Sequence, residues 1–240
     1  MEIWERLLTG ESLEGLYPTV EGKIDLRGLH APTPSSIRHF NFHKRDVNAL
    51  EGVLELRGVH WKGINFSRNS YHSVDFTKAD LRQTVYVSAD MIDCVFAETN
   101  LAKVDFQGII FKNCVFSGLL NEVMFYRSAF RGERFPSNEM KGVDFRGAVF
   151  RHVEFRNLDM NDVEWPKSDQ HIVLDHYKAC LEKMLKALSD RPDVGSKKLQ
   201  AILKTKLKWA GPNQRVGVLS KPDLLEHGSP EAITWLLSIE

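Results

Sequence analysis

Nine histidines, three cysteines and thirty-two carboxylates are the residues of this chain best able to do chemistry, and their spacing decides whether they can act together. His30, His39 and His43 fall in one segment, His60, His72 and His152 stand far apart, and His171 and His176 sit close together further on. No H-E-x-x-H or C-x-x-C pair occurs, and a zinc ion needs three or four such ligands converging on one point. No metal site is expected. A phosphate loop of the form G-x-x-x-x-G-K-S/T is absent, as are G-x-G-x-x-G and a G-x-S-x-G nucleophile elbow. Many carboxylates in the middle of the chain stand two residues from an arginine or lysine, which keeps a carboxylate ionised instead of raising its pKa for acid catalysis. The expectation is a protein without catalytic residues or cofactor. Cys94 and Cys114, twenty residues apart, read as small buried apolar side chains.

Whatever positions these groups does so with a period of five. Bulky apolar residues recur at Leu56, Trp61, Phe66, Tyr71, Phe76, Leu81, Tyr86, Met91, Phe96, Leu101, Phe106, Phe111 and Phe116. One spacing then shortens to four, giving Leu120, and the series continues through Phe125, Phe130, Phe135, Met140, Phe145, Phe150, Phe155, Met160 and Trp165. A second, mostly small or β-branched set lies two residues before each of these, as at Val74, Ala79, Ala89, Cys94, Val104 and Val143. Two inward residues two apart suit a short extended segment, because alternate side chains of a strand share a face. The other two residues then turn a corner. Four such sides make a coil of twenty residues, and stacking every fourth centre sorts the residues by type. Leu81, Leu101, Leu120, Met140 and Met160 form an aliphatic column, while Tyr86, Phe106, Phe125, Phe145 and Trp165 form an aromatic one. Phe76, Phe96, Phe116, Phe135 and Phe155 form a third. A fixed internal period overrides segment-by-segment assignments.

Several sides carry a small or β-branched residue, then Asp or Asn, then a bulky centre: Ala79-Asp80-Leu81, Ala89-Asp90-Met91, Thr99-Asn100-Leu101, Val74-Asp75-Phe76, Val104-Asp105-Phe106 and Val143-Asp144-Phe145. This pattern resembles the pentapeptide-repeat family, whose members fold as right-handed quadrilateral β-helices. The resemblance implies an all-β solenoid of about six coils. It also implies binding without chemistry, since some members imitate DNA in shape and charge and bind type II topoisomerases such as gyrase.

Three parts are expected: residues 1–53 as an N-terminal capping segment, 54–166 as the β-helix and 167–240 as an α-helical C-terminal region. Residues 1–9 read as a short amphipathic helix, and Ile24-Asp25-Leu26-Arg27-Gly28 echoes Leu54-Glu55-Leu56-Arg57-Gly58, the start of the repeat. An open coil end leaves backbone groups unpaired, so a solenoid needs a cap there. In the last part the apolar spacing predicts helices over 171–188, 197–209 and 230–239, the third capped by Ser229 with Pro230 and Glu231 in its first turn. Arg131-Gly132-Glu133-Arg134-Phe135-Pro136 breaks the repeat. Glu133 occupies an inward position where an unpaired carboxylate is costly, so a local bulge is expected there.

Charge argues about partners. Lysine plus arginine and aspartate plus glutamate number thirty-two each over the whole chain. Within 52–166 the balance is fourteen bases to fifteen acids, far from the one-signed field that a phosphate mimic needs. Acids precede the centres and bases follow them. Neither a basic apolar leader nor an eighteen-residue apolar run occurs, so a cytoplasmic protein without membrane contact is expected. Direct nucleic-acid binding is not. Outward positions in the middle of the rod are apolar at Val85, Val87, Ile92, Val95, Ile110, Val115, Leu119, Met124 and Tyr126, forming a candidate protein-contact surface. Lys197, Lys198, Lys204, Lys206 and Lys208 form a candidate basic surface. The expected function is a non-enzymatic binding module, an adaptor, inhibitor or immunity-type regulator with one protein partner. The alternatives are a DNA-mimicking binder of gyrase and a structural homo-oligomer such as a homodimer.

Overall fold

The computed structural model describes residues 76–128 except 80, 83–85 and 88, then 137–191 and 193–238, and short strands at 19–20, 23–24 and 70–72. The readings of residues 1–9, of the echo at 25–28 and of Glu133 therefore lie outside the described residues. Within the repeat the sides are short strands: β3 (Ser70–His72), and, each around one buried centre, β4 (Tyr86–Val87), β5 (Asp90–Ile92), β6 (Val95–Ala97), β7 (Asp105–Gln107), β8 (Ile110–Lys112) and β10 (Met124–Tyr126). Two longer strands, β9 (Val115–Asn121) and β11 (Val143–Arg151), each run through two centres, and β12 (Glu154–Arg156) and β13 (Val163–Glu164) complete the series. Further back, β1 (Thr19–Val20) pairs antiparallel with β2 (Lys23–Ile24).

Strands of the repeat pair in parallel with the side above and below, in the orders β3-β5-β8, β13-β11-β9-β6 and β12-β10-β7-β4. Registers of twenty residues, such as Met91 on Phe111 and Phe96 on Phe116, follow from sides of five. The shortened spacing appears where the sequence places it, since Phe106 lies on Phe125, nineteen residues on. Corners sit two residues beyond a centre and adopt positive φ at Lys78, Asp93, Glu98, Lys103, Gly108, Asn113, Gly118, Glu122, His152 and Asn157. That conformation is costly for most side chains and tolerated by Gly, Asn and Asp. Along one column the rings stack, Phe76 on Phe96 at 5.0 Å and Phe96 on Phe116 at 4.7 Å, nearly parallel.

After residue 127 the register departs from the expected columns. Phe125 stacks on Phe155 at 5.3 Å, thirty residues on, and Phe116 stacks on Phe145 at 5.0 Å. Leu120 lies beside Phe150, again thirty residues on. The aromatic column is thus Tyr86, Phe106, Phe125 and Phe155, not Phe145 and Trp165. Phe145 continues the column of Phe76, Phe96 and Phe116, and Met140 follows Phe111 through the pairing of Lys112 with Lys141. The cause is visible at the two ends of the step: the N–H of Asn138 donates to the carbonyl of Arg127 at 2.8 Å. Across residues 128–137 the pairing register therefore shifts by ten residues, two sides' worth. Asn138 makes the re-entry possible. Its buried side-chain oxygen accepts from the N–H groups of Phe111 and Met140 at 3.2 and 2.9 Å, standing in for a ladder carbonyl.

The C-terminal part is not wholly helical. Residues 171–175, expected to begin a helix, form β14 (His171–Asp175), which pairs antiparallel with β15 (Val216–Ser220). Helix α1 (Tyr177–Ser189) follows, then α2 (Val194–Trp209), which starts earlier than expected because Asp193 caps it through the N–H of Ser196. The apolar spacing does not predict the short α3 (Lys221–Leu225), and α4 (Pro230–Leu237) starts from Ser229 as its sequence predicts. Leu174, Tyr177, Leu181, Met184, Leu199, Leu203 and Leu236 belong to a core of their own, whereas Val218 packs into the core of the rod. This part is therefore both a small packed unit and a lid.

Candidate functional site

The lid takes over the hydrogen bonds that a further coil would make. Phe150 gives its N–H to Nε2 of His171 at 2.9 Å and its carbonyl accepts from Oγ of Ser220 at 3.1 Å. The N–H of His152 donates to Oδ2 of Asp223 at 2.9 Å, Lys206 Nζ donates to the carbonyl of Val153 at 3.1 Å, and the N–H of Asn157 donates to the carbonyl of Trp209 at 2.7 Å. Since buried backbone groups are almost always paired, this accounts for how the backbone groups between Phe150 and Asn157 are satisfied without a further coil.

The candidate contact residues do not lie on one face. Ile92 and Ile110 belong to the β3-β5-β8 sheet, Met124 and Tyr126 to the β12-β10-β7-β4 sheet, and Val95, Val115 and Leu119 to the third. Val87 lies in β4 beside Gln107, and Val85 is outside the described residues. Tyr126 is a correction, being buried instead of exposed. The guanidinium of Arg156 covers its ring at 5.1 Å and donates to its hydroxyl at 2.9 Å. Leu119 is the outstanding member, with 55% of its surface exposed. It lies just past the corner at Gly118, so it stands on the side next to that of Val95 and Val115, with half-buried Val149 beside it in register. These four apolar residues flank one edge of the rod.

The acidic and basic tracks neutralise each other. Residues on either side of a centre point the same way, and Asp144 and Arg146 meet at 2.7 Å while Glu154 and Arg156 meet at 2.6 Å. Hydrogen bonds from Arg146 hold the Asp144 carboxyl below the usual carboxylate range. Lys78 reaches Glu98 on the next coil at 3.6 Å, and Lys103 reaches Glu122 at 3.7 Å. Exposed pairs of this kind add little stability, but they erase any one-signed field.

Of the candidate basic surface, Lys197, Lys198, Lys204 and Lys208 are exposed on α2. Lys206 is not part of that face. It turns inward against Val153, where burial pushes its ammonium pKa down while Asp223 and Glu154 oppose the shift. Its surroundings are a cavity of about 330 Å³ between the end of the rod and the lid, lined by His152, Glu154, Lys206, Trp209, Asp223 and His227 among others. Sequence spacing could not reveal it, because its walls come from residues some fifty to seventy positions apart. The same junction brings His152 to Asp223 and Glu226, with one ligand atom from each within 4.8 Å of the others. No metal was expected from a comparison of histidines with histidines. The partners of His152 are carboxylates of the lid.

Residues 89–165 match the family model described as "Pentapeptide repeat region". This stretch is a pentapeptide-repeat segment. Among solved structures, the chain is similar to full-length QnrB1, described as a plasmid-mediated fluoroquinolone resistance protein, at 13% identity over 45% of this chain and 78% of that one, with a TM-score of 0.14. It is also similar to the pentapeptide repeat protein Rfr23 from the cyanobacterium Cyanothece 51142, at 18% identity over 50% of this chain and 97% of that one, with a TM-score of 0.17. A search of the curated proteins finds no match. No helix among the described residues is long and apolar enough to cross a membrane.

Proposed function

We propose that this protein is a non-enzymatic binding module that docks one protein partner on the edge of its pentapeptide-repeat rod flanked by Val95, Val115, Leu119 and Val149. The rod is read as a right-handed four-sided helix spanning 54–166, half a coil shorter than a simple count of sides gives, with 1–53 and 167–240 closing its ends. The observation that carries the reading is the exposure of Leu119 on a rod whose other large apolar side chains, among the described residues, are buried or half-buried. A filled interior leaves such a rod only its surface to work with, and a rigid surface binds without losing conformational entropy. Gyrase binding by imitation of DNA is the weaker reading, because acids and bases cancel along the described sides.

The test is affinity capture from the protein's own cells with wild type and with Val115→Lys/Leu119→Lys, followed by measurement with the purified partner. A partner bound in a one-to-one complex by wild type, and at least tenfold more weakly by the double variant, supports the reading. Equal binding by both proteins removes the edge from consideration. A wild-type protein that forms only a complex with itself, dissolved by the variant, replaces the reading with a homo-oligomer. Inhibition or drug protection of gyrase supercoiling at stoichiometric protein replaces it with the DNA mimic.

A further inference from the structure

The junction between rod and lid holds a carboxylate oxygen with nothing to bind. Asp223 lies in the first turn of α3, and its side chain is only 14% exposed. Oδ2 receives the backbone N–H of His152 at 2.9 Å. Oδ1 is fully buried and accepts no hydrogen bond. Leaving a buried ionised oxygen unpaired is costly, and such oxygens are normally satisfied by a donor or a cation. Lys206, in the same cavity, spends its ammonium on the carbonyl of Val153. The nearest cationic candidate is the His152 imidazole, whose Nδ1 stands 4.0 Å from Oδ1, beyond hydrogen-bond reach.

A third ligand group completes the cluster. Glu226 follows Asp223 by three residues, which puts both on one face of a helical turn. Its Oε2 lies 3.3 Å from Nε2 of His152, and its Oε1 lies 3.5 Å from Nη1 of Arg151. His152 is fixed from the rod side, where the corner backbone at φ +53° presents the ring to the lid. One nitrogen and two carboxylate oxygens thus face a common point from two different parts of the fold.

We infer that His152, Asp223 and Glu226 form a binding site for a divalent transition-metal ion of the zinc type, which fastens the lid to the last coil of the rod. Zinc takes imidazole nitrogen and carboxylate oxygen at about 2.0–2.2 Å, so ligand atoms need to come within about 4.4 Å of one another. The present spread of 4.8 Å closes by a small rotation of His152 and Glu226, whose side chains are 44% and 43% exposed. Two carboxylates neutralise the ion, and a hard site for calcium or magnesium would be built from oxygen alone. His152 and Asp223 also line the adjoining cavity, from which water or a small ligand would complete the coordination.

The test uses the full chain, stripped with chelator and titrated with ZnCl₂ by calorimetry, with MgCl₂ and CaCl₂ as controls. The expected result is one zinc ion per chain, a raised Tm in zinc, no comparable response to magnesium or calcium, and a tetrahedral cobalt spectrum on substitution with CoCl₂. His152→Gln and Glu226→Gln change exposed side chains and keep the backbone N–H that Asp223 accepts, so both should fold as wild type does without metal. Each should weaken zinc binding at least tenfold and lose the Tm response. His227→Gln, at the cavity wall but outside the cluster, should retain both. Absence of stoichiometric zinc binding by wild type overturns the inference. So does undiminished binding by His152→Gln or Glu226→Gln, or loss of binding in His227→Gln alone.

Discussion

Replacing His171 with alanine should loosen the lid from the rod in a way that depends on pH. The imidazole is 7% exposed, and Nε2 accepts the N–H of Phe150 while Nδ1 meets Oγ of Ser168 at 2.7 Å. An accepting Nε2 requires the neutral ring with its proton on Nδ1. His171→Ala leaves the Phe150 N–H buried without an acceptor, at a cost of about 1–3 kcal/mol. It also removes the edge-on contact of the imidazole with the Phe150 ring at 5.2 Å, of order 0.5–1.5 kcal/mol for an aromatic pair. The sum, about 2–4 kcal/mol, should lower the urea midpoint by about 1 M if the slope is about 2–3 kcal/mol per molar. Burial pushes the His171 pKa below its ordinary value, and the nearby charge of Asp223 opposes the shift. The folded state therefore binds fewer protons than the unfolded one at mildly acid pH. The stabilisation is full above about pH 6.5, declines as the pH falls from there, and levels off below the folded-state pKa. The difference between wild type and His171→Ala should accordingly shrink on acidification, and His171→Gln, which can accept without titrating, should recover part of it at every pH. Urea unfolding from pH 8 to 5, with hydrogen exchange at the Phe150 amide, reads both effects. A midpoint unchanged by His171→Ala, together with unchanged protection of that amide, would refute the account of how the coil is closed.

Two further substitutions probe the rod itself. Phe116 touches Phe96, Phe111, Phe125 and Phe145 with ring centres 4.7–5.6 Å away, so Phe116→Ala should cost about 3–5 kcal/mol in urea unfolding. A loss below about 1 kcal/mol would mean that the ring columns are not close-packed. Gly118 turns the corner before Leu119 at φ +84°, and a Cβ there would come within 3.1 Å of the Glu98 backbone. Gly118→Ala should therefore lower stability by about 1–2 kcal/mol, and a stabilising effect would show that the corner relaxes freely.

The rod is legible in the sequence because its code is local. Inward and outward positions repeat within five residues, so each side declares its own buried centre, as Phe96, Phe106 and Phe116 do. Even the single shortened spacing before Leu120 carries through to the pairing of Phe106 with Phe125. The step between Arg127 and Asn138 is not legible in the same way. Phe130 and Phe135 keep the period, and nothing in the spacing says that the pairing register will shift by ten residues between these points. Only Gly132, Glu133 and Pro136 disturb the pattern, and they fit a one-residue bulge as well as a longer excursion. The consequence is large, because a skip of two sides moves every later centre to the opposite face without disturbing the period. Phe145 and Phe155 are both phenylalanine, so residue type could not expose the exchange.

The same reasoning explains why the outward-facing chemistry was harder to read than the core. A solenoid specifies contacts at one coil's separation, whereas the lid meets the rod at separations set by a separate packed unit. His152 finds Asp223 and Glu226, seventy-one and seventy-four positions on, because Val218 is drawn into the end of the rod and carries the following turn with it. Lys206 leaves the basic face for the same reason, since α2 must lay one side against β12 and its inward lysine then meets the unpaired carbonyl of Val153. Both cases begin with a backbone group that the missing next coil would have satisfied. The chemistry of the described residues therefore concentrates where the repeat stops, because there backbone N–H and C=O groups at Phe150, His152 and Val153 are answered by side chains of the lid, and the side chains that answer them are brought together.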